Sequence, residues 1–305
     1  MARENPVIEL IVKMRPFSRL AKLYRSNSAP TSNRVCSVIA FRVSLGYNRW
    51  MVTHSYRSIL ITGASSGIGQ ALAQELARPG MLIGITGRNT ERLREVERDM
   101  RVAGAEVIAR TIDVTDRPAM SELIADMEAS TPLDMVVANA GISSGAGAGI
   151  GDDEITRDIF AVNLAGVLNT VLPALTAMRT RKQGHVAIVS SVAGFRGLPS
   201  APAYSASKVA VRAWGEAIRP ELRRDGITLS MIYPGFVESR ITDKNDFHMP
   251  FLMPAEKAAR IIATGLERRN PVIAFPRRMV WAMKILAALP SPIFNAVMSR
   301  APRKE

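Results

Sequence analysis

Tyr204 and Lys208 stand four residues apart in Tyr204-Ser205-Ala206-Ser207-Lys208, inside a stretch that reads as helix, so both side chains leave one helical face. A phenol titrates near pH 10 and is a poor base at neutral pH, whereas a neighbouring ammonium favours the phenolate and lowers that value. Such a pair can exchange a proton with an alcohol or alkoxide oxygen. Ser191, thirteen residues upstream at the end of the apolar run 186–191, can donate to a carbonyl oxygen and hold it near the phenol, an oxyanion-type role. Taken alone, Tyr204 and Lys208 read equally as a polar pair on the outside of an amphipathic helix.

A second cluster is suited to phosphate. The apolar run Ser58–Thr62 passes directly into Gly63-Ala64-Ser65-Ser66-Gly67-Ile68-Gly69, and helical sequence begins at Gln70. Glycines at a strand-to-helix turn let the backbone approach a pyrophosphate and leave helix N–H groups facing its charge. The spacing is G-x-x-x-G-x-G rather than G-x-G-x-x-G, and on that ground alone a turn needed only for packing stays open. The glycines between 145 and 151 follow no strand and match neither spacing, so they read as a loop.

Both clusters need a frame. From Ser58 onward, apolar β-branched runs at 58–62, 81–86, 106–111, 134–140, 185–190, 227–233 and 271–275 alternate with helical stretches, including 90–103 and 156–180. Near-continuous apolar strands separated by helices predict a parallel sheet covered on both faces. The fold class is therefore α/β: a Rossmann-type, doubly wound, predominantly parallel seven-stranded sheet in three α/β/α layers. Residues 51–276 form the catalytic domain, flanked by a basic extension over 1–50 and a basic, apolar tail over 277–305.

The net charge of +13 over 305 residues is concentrated at the ends. Residues 1–50 hold nine basic and two acidic side chains, 51–270 hold 25 and 24, and 271–305 hold six and one. A near-neutral body without base-reading motifs argues against nucleic acid as a partner. One cysteine, Cys36, excludes an intrachain disulfide, and the scattered His54, His185 and His248 have no metal-ligand spacing, so no metal is expected. The lead lacks the long apolar core of a secretory signal. It has the Arg/Ser-rich, acid-poor composition of a transit peptide, but Met51 makes a natural start for the first strand, so 1–50 is read as a disordered or non-native extension.

The motifs in order resemble those of the classical short-chain dehydrogenase/reductase family over roughly Ser58 to Phe275. Thr62 to Gly69 resembles its TGxxxGxG. Asp113-Val114 resembles its adenine-contacting pair. Asn139-Ala140-Gly141 resembles its NAG, with Ala138 replacing a common Asn. Tyr204 and Lys208 are its YxxxK with Ser191 upstream, and Asn163 its helix asparagine. Pro234-Gly235 matches its PG turn, with Ser239 where Thr is frequent.

The resemblance implies catalysis by Tyr204, Lys208, Ser191 and Asn163, the last holding a water between Lys208 and solvent. It implies cofactor contacts from Gly63, Ser65, Ser66, Gly67, Ile68, Gly69, Arg88, Asp113, Val114, Asn139, Ala140, Gly141, Tyr204, Lys208, Pro234, Gly235, Val237 and Ser239. Strand two ends in Gly87-Arg88, without the carboxylate that bonds a ribose 2′-hydroxyl and with a guanidinium that suits a 2′-phosphate, so NADP(H) is expected. Phe236, Phe247, Met249, Phe251, Leu252 and Met253 make the segment 236–254 an apolar lid, suiting a lipophilic ketone, aldehyde or alcohol, though the same residues could simply pack on the body.

The expected protein is thus a cytoplasmic NADP(H)-dependent oxidoreductase acting on a small carbonyl or alcohol, a homo-oligomer of two or four chains. Two rival readings are a non-catalytic nucleotide sensor or scaffold, and a sugar-nucleotide epimerase on the same fold. The tail is too short between its flanking basic residues and Pro290 to span a bilayer. Peripheral membrane contact through 277–300, a cover over the substrate mouth and a subunit interface are its open readings.

Overall fold

The computed structural model describes residues 56–143, 153–199, 201–243 and 249–299. The extension 1–50, Cys36, His54, Phe247, His248 and the glycines at 145–151 lie outside them.

Seven strands form one sheet: β1 (Ser58–Thr62), β2 (Leu82–Gly87), β3 (Glu106–Thr111), β4 (Met135–Ala138), β5 (Gly184–Val189), β6 (Ile227–Pro234) and β7 (Val272–Phe275). Their spatial order is β3-β2-β1-β4-β5-β6-β7 with every pairing parallel. Parallel strands need crossovers, and helices supply them on both faces. That is why the strands read as unbroken apolar runs: Ile59 and Ile61 enter one core and Leu60 the other, all fully buried.

The first face is covered by α1 (Gly67–Leu76), α2 (Thr90–Val102) and α7 (Ala255–Glu267). The second is covered by α3 (Arg117–Ser130), α5 (Gly166–Thr180) and α6 (Pro202–Arg224). The expected helix over 156–180 is interrupted: α4 (Asp153–Phe160) joins α5 through a π-helical turn at Ala161–Ala165. The combined segment has the length and apolarity of a membrane span, but half of it is buried and α5 packs on the sheet, as a core helix does.

Strand β4 also ends earlier than its apolar run suggested. It stops at Ala138, because Asn139 turns its side chain back onto β1. Beyond β7, α8 (Arg277–Ala288) and α9 (Ser291–Met298) fold against the second face, burying Met279, Val280, Met283, Leu286 and Phe294 in the same core. The sheet reverses its winding between β1 and β4, so a crevice opens at their carboxyl ends, where ligands of such sheets bind.

Candidate active site

At that crevice β1 gives way to the glycine turn. Gly63 and Gly67 have φ of 68° and 56°, a left-handed backbone that favours glycine. A side chain on Gly67 would also press on Ser239 Cβ at 2.8 Å, and one on Gly69 would overlap the Gly63 carbonyl and the Asn139 amide. Ser66 begins α1 in extended conformation without a side-chain cap, so the first-turn N–H groups are left for an anion or water. Ser65 is buried, its Oγ 2.8 Å from where a Gly87 Cβ would sit, and Ile68 packs on the first core.

Asn139-Ala140-Gly141 braces this turn. The Thr62 hydroxyl accepts from the N–H groups of Asn139 (3.1 Å) and Ala140 (3.2 Å), and Asn139 Nδ2 donates to the Thr62 carbonyl at 2.9 Å. The glycines and the NAG triplet are thus one unit joined across β1 and β4.

At the other end of the crevice Arg88 leaves the tip of β2, 3.7 Å from Asp113, with both side chains substantially exposed. An exposed pair of this kind is weakly held, so the guanidinium is free to exchange partners. Asp113 accepts from the N–H and hydroxyl of Thr115 at 2.9 and 2.8 Å, which fixes the turn after β3. Val114 is buried, and its carbonyl accepts from Asn169 Nδ2 at 2.9 Å.

Four candidate side chains converge between β4, β5 and α6. Ser191, just past β5, accepts from the Ala193 N–H at 3.1 Å, donates to the Pro234 carbonyl at 3.4 Å and faces the Tyr204 hydroxyl. Lys208 lies one helical turn beyond Tyr204, its Nζ 5.7 Å from the phenol ring and donating to the Val189 carbonyl at 3.0 Å. Gly141 sits between Lys208 and Asn163: a Cβ there would lie 3.3 Å from Lys208 Nζ and 3.2 Å from Asn163 Oδ1. Asn163, on the π turn, is fully buried. Its Oδ1 accepts from the Ile142 N–H at 2.8 Å, while its Nδ2 donates to the Ile142 carbonyl at 2.9 Å and to Ser207 Oγ at 3.0 Å.

The electrostatics differ from the sequence expectation in one respect. Tyr204 is partly exposed as a residue, but its hydroxyl end is enclosed, and burial raises its pKa above 10 against a lowering hydrogen bond from Ser191. Desolvation therefore prevails over any lowering by the ammonium of Lys208, whose own pKa burial depresses from 10.5 to about 8. This frame holds a neutral phenol beside a lysine that gives up its proton readily.

Pro234-Gly235 ends β6, with the Gly235 N–H donating to Phe275 at 2.7 Å and Met279 and Pro276 packed against the glycine. The segment then turns back over the crevice. Val237 is buried and bridges to Met253, and Ser239 rests against Gly67. Of the apolar lid residues, Phe236 and Phe251 pack on the second core and Met253 is buried, while Leu252 is exposed.

Several supporting residues escaped sequence reading. Thr242 is buried, accepting from the Ser239 N–H at 2.8 Å and donating to the carbonyls of Ser239 and Val237 at 2.7 and 3.0 Å. The Ser-x-x-Thr spacing from Ser239 is a signal that could have revealed it. Ser190 ties its Oγ to the Lys208 carbonyl at 2.9 Å, and Arg196 caps the carbonyls at the end of α8, neither with a sequence signature.

Residues 57–249 match the family described as "short chain dehydrogenase". The chain belongs to the short-chain dehydrogenase/reductase family. Family membership makes it an oxidoreductase with a Rossmann-type fold. An uncharacterized oxidoreductase of Myxococcus xanthus is 39% identical over 251 residues, covering 82% of this chain and 99% of that one. An actinorhodin polyketide ketoreductase variant solved with NADPH is 29% identical with a TM-score of 0.64, covering 72% of this chain and 94% of that one. A Mycobacterium paratuberculosis short chain dehydrogenase solved with NAD is 25% identical with a TM-score of 0.62, at the same coverage. Those two neighbours hold nicotinamide cofactors, and the glycine cradle here, which a single methyl at Gly69 would fill, has the form that the close approach of such a group requires.

Proposed function

We propose that this short-chain dehydrogenase/reductase is an NADP(H)-dependent carbonyl reductase, or alcohol dehydrogenase in reverse, with Tyr204 as its proton donor and acceptor. The observation that carries the reading is the meeting of Ser191, Tyr204 and Lys208, the Lys208 Nζ 5.7 Å from the phenol ring and against Gly141 of the triplet that braces the glycine cradle. The cradle and the first turn of α1 would hold the pyrophosphate, Asp113 and Val114 would border the adenine, and Arg88 would meet a ribose 2′-phosphate. The bound nicotinamide supplies the hydride for reduction and accepts it for oxidation.

The chain's own groups do the rest. Ser191 Oγ donates to the carbonyl oxygen and gathers its developing negative charge. A phenol whose pKa is raised stays protonated at neutral pH and is ready to deliver its proton to that oxygen. Lys208, with its pKa near 8, would return a proton to the phenolate, and Asn163, 21 residues from the Ile142 backbone it grips, would hold the water that links Lys208 to solvent. Leu252, exposed on the segment that turns back over the crevice, would favour a lipophilic substrate over a charged one, while Phe236 and Phe251 pack their rings on the second core. The ketoreductase relative supports a keto group as the reacting centre.

The test is Tyr204→Phe in the full chain, with NADPH oxidation measured across a panel of ketones and aldehydes. Turnover should drop by a factor between about 10² and 10⁴, while NADPH binding followed by fluorescence stays unchanged. Turnover that survives the substitution refutes Tyr204 as the proton donor. An inert wild-type chain that still binds NADPH points instead to a nucleotide-sensing role.

A further inference from the structure

The second core ends in two successive helices, α8 and α9, and α8 has inner and outer faces that differ sharply in character. On α8, Met279, Val280, Met283 and Leu286 are buried, while Arg277, Arg278, Trp281, Lys284, Ile285 and Ala288 form one exposed stripe at helical spacing. Trp281 is 63% exposed, and Ile293 on α9 is 51% exposed. Lys284 reaches back over the Trp281 ring at 5.7 Å, a cation held against an aromatic face at the edge of an apolar strip. No acidic residue occurs from 277 to 304, whereas six basic residues do.

We propose that the outer face of α8 and α9 docks on an anionic lipid surface. Tryptophan and isoleucine set between basic residues make an interfacial helix, with apolar groups entering the headgroup boundary and cations meeting its charge. At 12 residues, about 18 Å long, α8 lies on a bilayer and does not cross it. A second copy of the chain fits the face poorly, because a two-fold contact would set Arg277, Arg278 and Lys284 against their own like charges.

The two helices are also fastened to the site. Arg196, five residues after Ser191, donates to the Ala287 carbonyl at 3.1 Å and to the Leu289 carbonyl, and its guanidinium lies 3.8 Å from the centre of the Phe294 ring. Docking through the outer stripe of α8 would therefore hold the turn after Ser191, which packs on its inner side, about one helix thickness from the lipid.

The experiment is flotation of the full chain with phosphatidylcholine vesicles, with and without phosphatidylglycerol. Wild type should float with the anionic vesicles and less as salt rises. R277Q/R278Q/K284Q should lower the partition coefficient by about two orders of magnitude, and W281S/I285S should lower it on both lipids. The basic lead 1–50 is common to all three proteins, so only the difference between them is read. Circular dichroism and NADPH binding confirm that the variants fold, and the single Trp281→Gln, at an exposed position, replaces any that does not. Equal flotation of wild type and variants overturns the proposal, as does a wild type that ignores anionic vesicles. A change of assembly mass in sedimentation velocity without a change in flotation overturns it in favour of a subunit contact.

Discussion

Lys208 offers a direct test of the electrostatics of the site, because its ammonium is enclosed at 3% exposure and opposed chiefly by burial. Replacing it in Lys208→Met removes the titrating group and keeps the aliphatic stem. In the wild type the folded lysine releases its proton near pH 8, whereas the unfolded chain holds it to about 10.5. Between those values the unfolded state binds more protons, so wild-type stability rises with pH. The depression from 10.5 to about 8, at about 1.4 kcal/mol per pH unit, corresponds to about 3 kcal/mol, of which about 2 kcal/mol should accrue between pH 7.5 and 10.

Lys208→Met lacks this gain. Its absolute stability also reflects the unpaired Val189 carbonyl, so the decisive quantity is the difference between the two proteins as a function of pH. Urea unfolding at five pH values measures it. Tyr204, with its pKa raised, keeps its proton in both folded proteins over this range, so its contribution largely cancels. A difference that stays flat across the range would refute the claim that Lys208 is strained by desolvation and, with it, the supply of a proton near neutral pH.

Other perturbations separate the parts of the site. Arg88→Asp should invert the cofactor preference, lowering kcat/KM with NADPH and raising it with NADH, because the carboxylate can bond a ribose hydroxyl and repels a phosphate; an unchanged ratio removes Arg88 from the cofactor site. Gly69→Ala should abolish NADPH binding in a fluorescence titration, since its methyl overlaps the Gly63 carbonyl and the Asn139 amide. Arg196→Ala should lower the melting temperature by a few degrees, through lost caps on the α8 carbonyls and lost stacking on Phe294, and should raise hydrogen exchange in 277–299 ahead of the sheet.

The sheet was legible because its central strands are apolar on both faces, as burial by two helical layers demands, and all seven apolar runs correspond to strands, the edge strand β3 showing its position by the exposed Glu106, Arg110 and Thr111. The glycine turn and the Tyr204-to-Lys208 spacing were legible because they are local. What sequence did not disclose was relational. Gly141 carries no sign that it marks the meeting of Asn163 and Lys208, and Arg196 looks like any surface cation until α8 folds back to it. The direction of the Tyr204 shift was misread for the same reason: spacing reveals the ammonium, but enclosure is contributed by residues far apart in the chain.

The π turn at Ala161–Ala165 has a consequence for how this helix tolerates change in length. A π turn is a regular α-helix with one residue spliced in, and each residue advances the spiral by about 100°. The stretch before Ala161 is therefore out of phase with the stretch after it, and a single helical wheel drawn from 153 to 180 superimposes two unrelated faces. Losing one residue within the turn would restore an unbroken α-helical ladder and yet rotate α4 a quarter-turn or more against α5, carrying Asn163 off the Ile142 backbone it grips from both sides. Here the smoother helix is the defective one, and the reading frame of the spiral, more than its hydrophobicity, is what a deletion in this segment would disturb.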